Sequence, residues 1–287
     1  MTSSYEQAQI ATNGVHLHVT QAGPQRGPLA ILLHGFPEFW YGWRGQIPSL
    51  AAAGYRVWAP DQRGYNLSDK PRGMVAYNLD MLAADVVGLV DASGQERASL
   101  IGHDWGGAVA WWVAAKYPQR LERLVVINCP HGAVLRRHLR RSLAQQRRSW
   151  YMFFFQVPWL PEVVLRRANW RLLVRMLKES GKPQAFTATD LELYRRAWSQ
   201  PGAVTAMLNW YRAMLQVPPE PAPRRPIEVP TLLIWGQQDK FLGQDMAQPS
   251  IDLCSAGRLV FVPDATHWVH LEQPDRVNTM LKEFLPA

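Results

Sequence analysis

Residues 98–116 read ASLIGHDWGGAVAWWVAAK, and the fold turns on this stretch. Ala98–Ile101 is a short apolar run of the kind that forms a buried parallel strand. It leads directly into Gly102-His103-Asp104-Trp105-Gly106-Gly107, and helical spacing follows over Gly106–Lys116. A central residue with a small one two places to either side, between strand and helix, is the pattern of a nucleophile elbow. The turn is sharp, so its flanks must be small, and it lifts the central side chain above the sheet. The start of the next helix turns backbone N–H groups toward a developing anion. An Asp before a helix can also be an ordinary N-cap. The glycines on both sides of Asp104 favour the elbow.

Outward from this stretch, apolar runs recur at Leu29–Leu33, Arg56–Ala59, Leu124–Ile127, Thr231–Trp235 and Leu259–Val262, with helical spacing over Asn78–Asp91. The alternation predicts an α/β fold with a mostly parallel, doubly wound sheet. Alternating segments around Ile10 and over Val15–Val19 flank Asn13-Gly14, which predicts a hairpin with a type I′ turn. The pattern changes after Pro130. Residues 131–218 are rich in Trp, Tyr and Arg, contain no convincing strand, and read as helices punctuated by Pro158, Pro161, Pro183 and Pro201. PPEPAPRRP (218–226) reads as a stiff linker back to the sheet. The expected organisation is a core in two parts, 1–130 and 219–287, with a helical cap inserted at 131–218.

The 287 residues, 47% hydrophobic, suffice for one core carrying such a lid, and 19% charged residues with recurring apolar segments argue against disorder. Cys129 and Cys254 form neither a disulfide framework nor a metal cluster, the sequence offers no metal-ligand cluster, and carboxylate chemistry at Asp104 needs no metal or organic cofactor, so none is expected. The opening MTSSYEQAQI lacks a basic segment followed by an apolar run, and no apolar stretch reaches the roughly 20 residues of a membrane span. The expectation is a soluble, cytoplasmic protein, monomer or homodimer. The net charge of +8 is uneven: residues 131–218 hold 15 basic against 4 acidic residues, the remainder 16 against 19. No nucleic-acid-binding motif accompanies it, and a solvated helical surface is the favoured reading. Contact between an anionic membrane and Arg136, Arg137, Arg140, Arg141, Arg147 and Arg148, beside the aromatic Trp150–Phe155, stays open as an alternative.

An Asp at the elbow is chemically informative. A serine attacking an alkyl carbon would leave an ether, which water does not readily cleave. A carboxylate leaves an ester, which can be hydrolysed at its carbonyl to free the enzyme. Asp104 therefore points to displacement at sp³ carbon. Two partners follow in the order nucleophile, acid, base. Asp239 stands after Thr231–Trp235 in WGQQD, and His267 after Leu259–Val262 in DATHW. Both are at strand C-terminal ends, where open α/β sheets build their sites. His267 is the expected base and Asp239 its orienting acid. Asp264 is nearer in sequence, but a triad needs spatial proximity, so Asp239 is preferred. The strand end at Ile127-Asn128 offers no carboxylate. The turn His34-Gly35-Phe36-Pro37-Glu38 follows the first buried strand. It can supply the Phe36 N–H as an oxyanion donor beside that of Trp105, with His34 structural. The 13 tryptophans suggest an apolar pocket for a lipophilic substrate, with Pro37, Trp40 and Trp268 as candidate lining residues.

HGFPEFWYGWRGQIPSL (34–50), DQRGYNLSDKP (61–71), GHDWGG (102–107), WGQQD (235–239) and THW (266–268) together resemble the epoxide hydrolases of the α/β-hydrolase fold, over nearly the whole chain. The resemblance implies a cis peptide before Pro37. It also implies two lid tyrosines that bind the epoxide oxygen, matched here by Tyr151 in SWYMFFFQ and Tyr211 in LNWYRAM. The substrates implied are a small lipophilic epoxide and water, joined through an Asp104 ester. A haloalkane-dehalogenase-like hydrolase is the nearest rival. That group expects a halide-holding Trp or Asn after the HG turn, where Phe36 stands, and its fluoroacetate branch expects Arg where Trp105 stands. A non-catalytic ligand-binding protein of the same fold is the third reading, and the Asp104, Asp239 and His267 set argues against it.

Overall fold

The computed structural model describes residues 5–222 and 225–286. Residues 1–4 of the opening segment, and Pro223 and Arg224 of the expected linker, lie outside the described residues. The strands are β1 (Glu6–Thr12), β2 (Val15–Ala22), β3 (Leu29–Leu33), β4 (Arg56–Pro60), β5 (Ala98–His103), β6 (Leu121–Ile127), β7 (Thr231–Gly236) and β8 (Gly257–Val262). They form one sheet in the order β1-β2-β4-β3-β5-β6-β7-β8. The strand β2 pairs antiparallel with β1 and β4, and every pairing from β4 to β8 is parallel. Asn13 and Gly14 both have positive φ, 40° and 74°, as a type I′ turn requires. That two-residue loop sets Thr12 opposite Val15.

The helices before β6 are α1 (Gln46–Ala52), α2 (Leu79–Ala92) and α3 (Trp105–Lys116). Between β6 and β7 come α4 (Gly132–Arg141), α5 (Leu143–Arg148), α6 (Trp150–Phe154), α7 (Leu160–Ser180), α8 (Ala188–Trp198) and α9 (Ala203–Gln216). Then follow α10 (Ala247–Ile251), α11 (Val269–Glu272) and α12 (Pro274–Phe284). Along β3 the side chains alternate between two apolar clusters, Leu29, Ile31 and Leu33 in one, Ala30 and Leu32 in the other. Helices α2 and α3 contribute Leu82, Val86, Leu89 and Val109 to the first, and α1 and α12 contribute Ile47, Leu50, Val277 and Leu281 to the second. Both faces are therefore covered, and each such side chain, fully buried, contributes roughly 1.5–3 kcal/mol. This is the α/β-hydrolase architecture.

Pro158, Pro183 and Pro201 fall in the connections α6–α7, α7–α8 and α8–α9, as the sequence predicts, but one further break has no proline. Pro161 lies in the first turn of α7, where its missing N–H costs nothing. The interruption comes at Arg167–Trp170, where Ala168, Asn169 and Trp170 all have positive φ. Trp170 is buried there and its indole N–H donates to Ser199 Oγ at 2.8 Å. Tertiary packing, not proline, thus bends α7. The segment between β6 and β7 is tied to the sheet loops by side-chain hydrogen bonds: Trp198 Nε1 of α8 donates to Pro37 O at 2.6 Å, Trp210 Nε1 of α9 to Arg63 O at 3.0 Å, and Arg44 Nη2 to Ala185 O, before α8, at 3.0 Å. No helix of the described residues is long and apolar enough to cross a membrane.

Candidate active site

Asp104 joins β5 to α3 with φ 50° and ψ −119°. That backbone conformation costs an L-residue on the order of 1–3 kcal/mol and persists only where the surroundings dictate it. Here they do. A Cβ on Gly102 would lie 2.3 Å from Gly106 O, and one on Gly106 would lie 2.1 Å from Leu33 O. A Cβ on Gly35 would meet Asp104 Cβ at 2.5 Å from the opposite side. The Asp104 side chain does not cap its own helix. Its Oδ1 instead accepts the Phe36 N–H at 2.8 Å. The Phe36-Pro37 peptide is cis. Trp105 opens α3, whose first-turn N–H groups have no partner within the helix.

His267 lies between two carboxylates. Its Nδ1 is 2.7 Å from Asp239 Oδ2, and its Nε2 is 3.6 Å from Asp104 Oδ2. Burial alone would lower the His267 pKa, but Asp239 and then Asp104 outweigh it and push it up to about 10. Burial likewise tends to raise Asp239. The His267 charge and donors from His267, Leu242 and Asn128 hold it below its ordinary value. Asp239 Oδ1 accepts the N–H groups of Phe241 at 2.7 Å and Leu242 at 3.0 Å. Asp264 is exposed and makes no ion pair with His267.

Tyr151 from α6 and Tyr211 from α9 meet edge to face, with ring centroids 5.9 Å apart. Tyr211 also packs edge-on against Trp105 and Phe36. Burial first, then the neighbouring phenol or carboxylate charge, raises both phenols well above 10, so both keep their protons. Tyr151, Tyr211, Asp104, Phe36, His267 and Trp268, with Met176 and Phe241, surround a cavity of about 10 Å³. That is room for about one water. A larger cavity of about 490 Å³ adjoins it and shares Tyr151, Met176 and Phe241 with it.

Trp268 lines the small cavity and donates its indole N–H to Ser180 Oγ at 2.9 Å. The other two candidate lining residues do not reach it. Pro37 turns its carbonyl to Trp198, and the Trp40 ring packs edge-on against Tyr5 and Phe39 while its backbone N–H donates to Asp61 Oδ1. Both places therefore need correction. Trp40 starts a 3₁₀ turn over Trp40–Trp43 that swings its ring away from the pocket.

Sequence reasoning missed Asn128. Its Nδ2 donates to Asp239 Oδ2 at 2.7 Å, and its Oδ1 accepts the Gly236 N–H at 2.9 Å. The strand end without a carboxylate thus carries the amide that holds the acid. A fully buried polar group beneath the site was missed as well. Glu38 Oε2 is 2.8 Å from His103 Nδ1, and His103 Nε2 faces the His267 carbonyl at 2.9 Å. Burial would raise the Glu38 carboxyl, but His270 and His103 hold it well below its ordinary value. Among the described residues, Glu38, His103 and His270 are the group that could hold a metal ion, one atom from each lying within 4.8 Å of the others. Their spacing is already accounted for by the Glu38–His103 hydrogen bond and a 3.4 Å Glu38–His270 contact.

With this geometry in view, comparison with known proteins is direct. Residues 28–274 match the α/β hydrolase fold family. The chain is 47% identical over 276 residues to the AB hydrolase superfamily protein YfhM of Bacillus subtilis, covering 96% of each. It is 38% identical to Epoxide hydrolase 4 of Mus musculus, covering 96% of this chain and 78% of that one. The crystal structure of the Bacillus megaterium epoxide hydrolase with an inhibitor superposes with a TM-score of 0.88 at 30% identity, covering 96% of this chain and 99% of that one. The chain belongs to the α/β-hydrolase family and, within it, to the epoxide hydrolases, which are hydrolases acting on ether bonds.

Proposed function

We propose that the protein opens a lipophilic epoxide to a vicinal diol through a covalent ester on Asp104. The observation that carries this reading is the orientation of the Asp104 carboxylate. Phe36 N–H holds Oδ1, while Oδ2 faces the cavity partners 3.6 Å from His267 Nε2. In the first step Oδ2 attacks one ring carbon, the carbon–oxygen bond of the epoxide breaks, and the electron pair goes to the departing oxygen. Tyr151 and Tyr211, both protonated at rest, bind that oxygen and supply its proton.

Ester formation removes the Asp104 charge, and with it part of what raises the His267 pKa. The imidazolium can then return the proton that the alkoxide consumed, which leaves His267 neutral and able to act as base. It draws a proton from water, and the water attacks the ester carbonyl. The oxyanion forms on Oδ1, where the Phe36 N–H already donates and where Trp105 N–H, at the start of α3, is the second donor. Collapse releases the diol and restores the Asp104 carboxylate. Asp239, held by Asn128, Phe241 and Leu242, keeps the His267 ring oriented.

In the same reading residues 131–218 form the cap that brings the two tyrosines over the elbow, Phe36 and Trp105 are the oxyanion donors, and Trp268 is part of the substrate wall. The protein would work in a reducing compartment such as the cytoplasm, for which the two free cysteines speak. The covalent route is tested by a single turnover in oxygen-18 water. The expected diol is unlabelled, with the label in Asp104. Labelled diol in the first turnover would recast Asp104 as a base acting on water.

A further inference from the structure

We propose that the exposed surface of α4, α5, α6 and the start of α7 docks on an anionic lipid bilayer, and that lipophilic epoxides enter the 490 Å³ cavity from that membrane. The second half rests on the epoxide reading above; the docking itself does not. Trp150, Phe153, Val157, Trp159, Leu160 and Val163 are all large, apolar and exposed, and all fall within residues 150–163. Such a concentration of exposed apolar surface marks a binding face. Trp150 is 62% exposed and Trp159 71%. Trp159 also has φ 52°, a conformation L-residues disfavour, at the N-terminal cap of α7.

Charge names the partner. Residues 136–175 contain ten arginines and one acidic residue, Glu162. Glu162 is already paired with Arg212 at 2.7 Å. Arg136, Arg137, Arg140, Arg141, Arg147 and Arg148 enter no ion pair among the described residues. A purely solvated surface would account for the arginines but not for the tryptophans among them. A second copy seated face to face on a two-fold axis would set the arginines against their own images. An anionic bilayer meets both demands: its headgroups take the guanidinium groups, and its interface takes the indoles.

The position of the cavity gives the docking a use. The exposed Trp150 and Leu172 form part of its wall, together with Arg147, Arg148 and Arg175. Its inner wall is formed by Tyr151, Met176 and Phe241, which stand between it and the space beside Asp104. A lipophilic epoxide dissolved in the bilayer would thus enter the wide cavity from the membrane and reach the nucleophile by displacing the side chains of Tyr151, Met176 and Phe241.

The test is co-sedimentation of the full chain with vesicles of phosphatidylcholine alone or mixed with phosphatidylglycerol, at low and high salt. Binding is expected on the mixed vesicles at low salt, with at least about tenfold loss at high salt. Replacing Arg136, Arg137, Arg140 and Arg141 with Gln is expected to weaken it by at least about tenfold. Phe153→Ser with Trp159→Ser, outside the cavity wall, should also abolish vesicle binding while leaving turnover of a water-soluble aryl epoxide in vesicle-free buffer unchanged. No sedimentation with the mixed vesicles at low salt overturns the proposal. So does sedimentation that both variants retain. A dimer in light scattering that dissolves in the Phe153, Trp159 variant would assign the face to a second copy instead. Because sedimentation is read without turnover, its failure is distinct from failure of the epoxide chemistry.

Discussion

Replacing His267 with Gln should separate the two half-reactions. In the proposed route, attack on the epoxide uses Asp104 Oδ2, the Phe36 N–H on Oδ1 and the two phenols. None of these is removed. Hydrolysis of the ester additionally needs a base near the ester, and His267 Nε2, 3.6 Å from Asp104 Oδ2, is the group so placed. Loss of a positioned general base costs about 10²–10⁴ in rate. The ester step loses much less, since the variant removes only the return path for one proton. Ester should therefore accumulate toward one equivalent per chain within a turnover of the slowed hydrolysis. Intact-protein mass spectrometry after mixing with a simple aryl epoxide should show one adduct of the epoxide's mass, and peptide mapping should locate it on Asp104. Asp239 would keep its Asn128, Phe241 and Leu242 donors, so the fold should survive the change. A folded variant that turns over at less than about a hundredth of the parent rate yet carries no adduct would refute the reasoning. It would show that His267 acts before carbon–oxygen cleavage.

Three further outcomes rest on the same geometry. Tyr151→Phe and Tyr211→Phe should each slow ester formation in stopped-flow single turnovers, and the double change should nearly abolish it. The losses should be less than additive, because each phenol lies in reach of the same oxygen; ester formation at the parent rate in the double variant would remove both from the mechanism. Asp104→Asn mimics the uncharged ester, so the His267 pKa, read by NMR titration, should fall from its raised value by about 1–3 pH units while Asp239 still holds it up. In the parent the raised pKa contributes stability that is full below the unfolded value near 6.5 and lost as pH rises through about 10. The melting temperature should therefore fall across that range, and fall less in the Asn variant.

Much of this architecture follows from local rules acting on short segments. Asn13-Gly14 is a pair that tolerates positive φ twice, so the hairpin and its register are written in two residues. Gly102 and Gly106 flank Asp104 because a Cβ at either would sit within 2.3 Å of backbone, so the elbow is legible as spacing alone. The nature of the central residue, Asp and not Ser, is what points the proposed chemistry to sp³ carbon. What tertiary structure decided is what depends on atoms distant in sequence. Asn128 reaches Asp239 across 111 positions, and Glu38 reaches His103 across 65. No periodicity marks such pairs, because each is set by where neighbouring strands end. Trp40 has the composition of a pocket residue, yet the turn over Trp40–Trp43 sends its ring to Tyr5. Helix α7 bends at Trp170 without a proline, because the buried indole finds Ser199. The narrow space at Asp104 and the wide one behind Met176 and Phe241 likewise exist only once the six helices have packed against the sheet. The sequence by itself determined the strands of the sheet and the place of Asp104 at the elbow, since both rest on backbone sterics within a few residues. Cavity shape, ring orientation and the buried supports of Asp239 and His267 were decided by packing, where every contact depends on the placement of the others.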